Sequence, residues 1–249
     1  TISREFGSGG RFIGEEVAKK LGIAYYDKNV INEILANPKK IKKIYISKTL
    51  KEKDLIEKIK QNKIRFENVD NNALNKMVEG NHQGLVAIVD DYEYTPYETM
   101  YQDNIVIMLD HLEDPHNFGA IIRTCEAAGI KSIIIPKDRS VDITPTVIKT
   151  STGAIEYVKI ARVNNLVNTI NDFKKNGFFV YGAEADGVDY NKCNYADKIV
   201  LVIGSEGFGL SNLVRKNCDE IVSLPMKGHV NSLNASVAAA IFIYDIINR

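Results

Sequence analysis

Three stretches of this chain place polar side chains where an apolar run stops. Asn117 and Arg123 stand in Asn117-Phe118-Gly119-Ala120-Ile121-Ile122-Arg123-Thr124. Glu206 stands in Ile203-Gly204-Ser205-Glu206-Gly207-Phe208-Gly209, directly after the apolar Leu201 and Val202. Ser232 and Asn234 stand in Asn231-Ser232-Leu233-Asn234-Ala235-Ser236, which follows Leu224-Pro225-Met226 and opens an apolar last segment. Strand ends that break into glycine-rich loops are where open α/β sheets take ligands. A glycine at such a break, Gly204 here, lets a backbone approach closely. Arg123, flanked by Ile121 and Ile122, would point near the positive end of its helix and needs an anion or an exposed position. Asn117 reads as the N-cap of that helix. Asn234 reads either as the cap of the final helix or as an organiser of its loop. His116, Glu184 and Asp186 read as surface or turn residues.

Arg123 and Glu206 are about eighty residues apart, so a fold must bring them together. From residue 105 onward the chain alternates strand, loop and helix, the pattern of a parallel sheet with helices on both faces. The predicted strands are 105–109, 132–135, 178–182, 199–203 and 221–224, and the predicted helices 119–128, 166–176, 210–217 and 237–247. Gly129 and Gly177 sit where a helix is stopped. Before this domain, 103–249, a smaller α/β unit covers 28–91. Its strands are expected at 44–46, 64–69 and 85–89, and its helices at 30–35, 54–62 and 72–78. The Tyr-rich stretch 92–102 is expected to be the linker between them.

Composition narrows the class. A chain of 249 residues, 45% hydrophobic and 26% charged, has the make-up of an ordinary globular protein. There is no run of the ~20 apolar residues a membrane helix needs and no basic-then-apolar leader, so a cytoplasmic protein is expected. Cys125, Cys193 and Cys218 lack CxxC spacing and the four histidines are scattered, so neither disulfides nor a metal site are expected. Net charge is zero, yet residues 38–65 hold eleven basic side chains against three acidic ones. That cluster, with Lys39, Lys40, Lys42 and Lys43 at its head, is a candidate footprint for a phosphate backbone.

Two resemblances follow from these motifs. Gly7-Ser8-Gly9-Gly10-Arg11, before a helix pattern of Ile13, Val17, Ala18 and Leu21, resembles the opening of cytidylate-kinase-like P-loop proteins. A glycine-rich loop opening a helix suits phosphate, but the Lys-Ser or Lys-Thr of a Walker motif is absent. Nothing downstream supplies nucleoside-binding or lid parts. Residues 1–27 are therefore expected to be an extra, fused remnant without activity of its own, and the missing initiator Met fits a truncated or composite chain.

The second resemblance covers far more. The three motifs around Asn117, Glu206 and Asn234, in this order, resemble those of the SpoU (TrmH-like) RNA 2′-O-ribose methyltransferases of the SPOUT superfamily. Residues 29–91, with His82-Gln83-Gly84 before a strand, resemble the substrate-binding domain of its RlmB-like branch, which methylates a 23S rRNA guanosine. The resemblance implies a C-terminal parallel sheet with a deep trefoil knot, S-adenosylmethionine held at Gly204, Leu224 and Leu233, and a homodimer. It also implies a catalytic set of Asn117, Arg123, Glu206, Ser232 and Asn234. A guanidinium is effectively always protonated. Arg123 is therefore expected to bind a phosphate and stabilise the developing alkoxide, oriented by Glu206 or Asn117. Transfer to tRNA or to another rRNA position, and a non-catalytic RNA-binding homologue, are the alternatives.

Overall fold

The computed structural model describes residues 41–77, 82, 84–89 and 92–249. The glycine-rich loop near the N-terminus, the helix expected at 30–35, and Lys39 and Lys40 lie outside the described residues. The chain divides into two compact units after Tyr92.

The first unit runs β1 (Ile41–Ser47), α1 (Lys53–Gln61), β2 (Phe66–Val69), α2 (Asn71–Met77) and β3 (Leu85–Val89). Its sheet has the order β2-β1-β3, with β1 parallel to β2 and antiparallel to β3. Ile44 and Ile46 of the central strand are buried, as are Leu55 and Ile59, four apart on α1, which share one helix face. Lys43, on β1, donates to Glu67 at 2.6 Å and lies over the Tyr45 ring.

The second unit runs β4 (Ile105–Asp110), α3 (Pro115–Ala127), β5 (Ser132–Pro136), α4 (Pro145–Ser151), β6 (Lys159–Val163), α5 (Leu166–Lys175), β7 (Phe179–Asp189), β8 (Ile199–Gly204), α6 (Asn212–Asn217), β9 (Glu220–Ser223) and α7 (Ala235–Ile247). The strands form one six-stranded sheet, β6-β5-β4-β8-β7-β9, in which every pair is parallel. Strands β4, β5 and β8 are nearly unbroken runs of Ile, Val and Leu because both of their faces are covered. Among the described residues no helix is long and apolar enough to cross a membrane.

Four expectations change. Strand β6 and helix α4 were not foreseen, although Thr144 caps α4 by accepting from Val147 N and Pro145 takes its first position. The N-cap of α3 is Asp114, which accepts from His116 N at 2.8 Å, and not Asn117, which is buried one turn further in. Strand β7 continues well past the predicted end at residue 182, with a register shift between Ala183 and Val188. From Glu93 on, the expected linker belongs to the second unit. Thr95 N donates to Ile160 O, and Met100 is fully buried. Tyr97 donates to Asp172 and, with Tyr101, packs its ring against Phe173. Aromatic rings packed in this way against the second unit's own Phe173 make a poor linker.

Candidate active site

The site lies at the carboxyl ends of β4 and β8, beside the irregular middle of β7. Asp110 ends β4, and with the Pro115 that starts α3 it brackets the short loop 111–114. Asn117, at the third position of α3, is held at the helix entrance by Asp114, whose Oδ2 accepts from its Nδ2 at 3.4 Å. The same amide group donates to Glu206 Oε1 at 2.7 Å, across 89 positions of sequence.

Asn234 completes the cluster from a third element. Its Nδ2 donates to Glu206 Oε1 at 2.6 Å and to Asn117 Oδ1 at 2.9 Å. Its Oδ1 accepts from Ser236 N and Val237 N, so it is also the N-cap of α7. The two readings of Asn234 are therefore both met by one side chain. Glu206 Oε1 takes a third hydrogen bond from Ala235 N at 3.3 Å, at the positive end of α7, where a carboxylate is favoured. No hydrogen bond reaches Glu206 Oε2 from the described residues.

The loop that carries Glu206 is built to a fixed shape. Ser205 and Gly209 exchange both backbone hydrogen bonds, at 3.1 and 3.0 Å. Glu184, from the irregular part of β7, accepts from Leu210 N at 2.6 Å, and Asp110 Oδ2 accepts from Ser211 N at 2.6 Å. Asp110 is fully buried, with its other oxygen beside His111 Nδ1. Two carboxylates thus pin the chain as it leaves the loop. Gly204 is required by this return: a Cβ there would collide with the carbonyl of Gly209 and the nitrogen of Leu210.

Beside the cluster is a cleft of about 340 Å³, within the range of small-molecule sites. Its walls include Gly204, Leu224, Leu233, Met226 and Phe242, with Glu184, Asn231 and Ser232 as polar members. Residues 224–233 form neither helix nor strand, and among the described residues none of their backbone groups pairs with another backbone group. Such a strip offers N–H and C=O groups to a ligand. Apolar walls, free backbone groups and a nearby carboxylate suit a molecule combining an aromatic base, hydroxyls and an amino-acid end.

The residues predicted from sequence separate into three groups. Asn117, Glu206 and Asn234 meet through direct hydrogen bonds. Gly204, Leu224, Leu233 and Ser232 line the adjoining cleft, Ser232 with an exposed side chain. Arg123 does neither. It is exposed, has no hydrogen bond or ion pair among the described residues, and leaves α3 six positions after Asn117, about 120° around the helix. Asp110 and Glu184 act as loop anchors that the sequence reading did not assign. Asp186, two positions on along β7, instead has its pKa lowered by its paired hydrogen bonds to Arg215. The signal for Glu184 was its place just after an apolar strand, but Asp186 shared it. Among the described residues no three His, Cys, Asp or Glu side chains gather as a metal site would require.

Both units of the chain are similar to known proteins. Residues 104–244 match the model of the SpoU rRNA Methylase family, and residues 28–95 match that of the RNA 2′-O ribose methyltransferase substrate-binding domain. A Staphylococcus haemolyticus protein assigned to the TrmH family of tRNA/rRNA methyltransferases is 40% identical over 91% of this chain and 96% of its own. The fold is similar to that of the SpoU methyltransferase AviRb from Streptomyces viridochromogenes, solved in complex with AdoMet. That likeness has a TM-score of 0.79 at 21% identity, over 97% of this chain and 98% of the other. An AdoMet-bound rRNA methyltransferase from Sinorhizobium meliloti gives a TM-score of 0.73 at 22% identity, over 97% and 96% of the two chains.

Proposed function

This chain belongs to the SpoU rRNA methylase family and is an RNA 2′-O-ribose methyltransferase, and we propose that its target is a guanosine of 23S rRNA. The observation that carries the site assignment is the convergence of Asn117 and Asn234, from separate elements, on Glu206, which itself lines the cleft. In this proposal the cleft takes S-adenosylmethionine, with Leu224 and Leu233 against its base and the free backbone groups of 224–233 around its polar parts. When bound, the cofactor supplies an electrophilic methyl group on a sulfonium sulfur.

A ribose hydroxyl is a weak nucleophile until its proton is held by a base. Glu206 Oε2 is the carboxylate oxygen to which none of the described residues donates, so we assign it to the 2′-hydroxyl proton. Asn117 and Asn234 keep the carboxylate in place through its other oxygen. Arg123 binds the neighbouring phosphate and stabilises the oxygen as negative charge develops on it.

Arg123 is exposed and no hydrogen bond links it to the cluster within its own protomer, which supports a homodimer in which a second copy supplies it. Helix α7 packs on α3 and leaves Val237, Tyr244 and Ile247 exposed along one stripe. A helix apolar on its outer stripe as well as its inner one fits burial by a second copy. The deep trefoil knot is part of the same proposal, as is RNA binding by the first unit through the cluster headed by Lys39, Lys40, Lys42 and Lys43. The first unit leans the target towards rRNA, while relatives described as tRNA/rRNA methyltransferases keep tRNA as the second reading. Mapping 2′-O-methyl sites in rRNA and tRNA from cells with and without the gene decides between them. Loss of one 23S guanosine methyl group supports the proposal, and loss of a tRNA methyl group instead overturns it.

A further inference from the structure

Phe208 has a place that the reaction as described does not use. It is the most exposed large apolar side chain of the described residues, at 92%. A single exposed hydrophobic residue ordinarily needs no explanation. This one stands at the tip of the turn closed by Ser205 and Gly209, two residues after Glu206, and borders the cleft. Gly207 and Gly209 on either side have positive φ, +81° and +65°, so the turn is sharp and lifts the ring clear of the core. The backbone pair at its base and the Glu184 and Asp110 anchors fix the turn that carries the ring.

Ribose chemistry says what meets such a ring. The 2′ oxygen is on C2′, and the base is on the adjoining C1′. Whatever places a 2′-hydroxyl at Glu206 therefore brings that nucleotide's base to within a few ångströms. A base inside a duplex already has both faces stacked and its ribose in line with its neighbours, whereas an unpaired base offers a free face to an aromatic side chain.

We propose that Phe208 is the stacking platform for the base of the nucleotide being methylated, so that the substrate is an unpaired or flipped-out nucleotide and not one within a helix. This rests on the methyltransferase reading given above. Phenylalanine carries no polar atom, so the platform positions the base without identifying it, and base identity must be read by other groups.

The test uses Phe208→Ala and Phe208→Trp in the full chain, with unmodified 23S rRNA transcript and methyl-labelled S-adenosylmethionine. The alanine variant is expected to raise KM for RNA on the order of ten-fold, the loss that removing one base–aromatic stack brings. Cofactor Kd, thermal midpoint and oligomeric state are expected to stay unchanged, and tryptophan to restore KM. A single-stranded RNA carrying 2-aminopurine should be quenched by the wild type and less by the alanine variant. An unchanged KM, weaker cofactor binding, or a shift to monomer would each overturn the proposal, the last two by making Phe208 a cofactor cover or a subunit contact. Wild-type protein that transfers no methyl group to any RNA would instead overturn the function itself, and the platform with it.

Discussion

Glu206 accepts three hydrogen bonds on one oxygen, so Glu206→Gln can keep all three on its amide oxygen while losing the negative charge. The variant is expected to bind cofactor normally and melt close to wild type. In single-turnover assays its methyl transfer should fall by roughly 10²- to 10⁴-fold, the usual worth of a positioned base. A variant with full activity would remove Glu206 from proton transfer. Arg123→Ala is expected to leave the thermal midpoint unchanged, since the side chain is exposed and has no hydrogen bond or ion pair among the described residues, yet to lose activity. At this scale the sequence was informative about residue type and poor about contact. Asn117 was legible as a polar residue at a helix start, but Asp114-Pro115 made the better cap, and a partner 89 residues away leaves no local trace.

His82 ties structure to pH in the first unit. Gly84 N–H donates to its Nδ1 at 3.0 Å, and its Nε2 lies 3.0 Å from Asn75 Oδ1. A backbone N–H can only donate, so Nδ1 must be unprotonated. Burial holds the His82 pKa below its ordinary value, and adding the proton would set two N–H groups against each other. The folded pKa is depressed, so the unfolded chain binds more protons just below pH 6.5. Stability is therefore complete above about that pH and falls as pH drops through the folded pKa. Denaturant midpoints of the first unit should decline on acidification, and His82→Gln should flatten that decline. If both proteins followed the same curve, His82 would not be the titrating group. Long buried strands such as β4 and β8 were legible because their apolar runs are unambiguous. Strand β6 was not, since Lys159 and Arg162 interrupt a run of five residues whose order in the sheet only β5 decides.

For the whole molecule, the proposed dimer makes a quantitative demand. If Arg123 acts on the site of a second copy, Arg123→Ala and Glu206→Gln proteins are each inactive. Co-refolding them in equal amounts should restore about a quarter of wild-type sites, because half of randomly formed dimers hold one intact site of two. No recovery would show that Arg123 acts within its own protomer. Val237→Asp or Tyr244→Asp, on the exposed stripe of α7, should give a monomer by light scattering. The parallel α/β architecture was readable from the alternation of elements, whereas the family of the two matching regions was legible only through the resemblance of their motifs. The meeting of β4, β8 and the 224–234 segment was not, because it is set by strand order and not by spacing along the chain. The same holds for charge. Lys43 belongs to the basic cluster by sequence, yet its ammonium is committed to Glu67. Reversing Lys42 and Lys43 should therefore lower the salt slope of RNA binding by less than two full charges.

The most direct measurement incubates purified wild-type and Glu206→Gln protein with methyl-labelled S-adenosylmethionine and unmodified 23S rRNA, then locates the label by nuclease digestion and mass spectrometry. The account predicts a single labelled 2′-O-methylguanosine with the wild type and a trace of it with the variant. Label on a base, label on no RNA, or equal labelling by both proteins would contradict it.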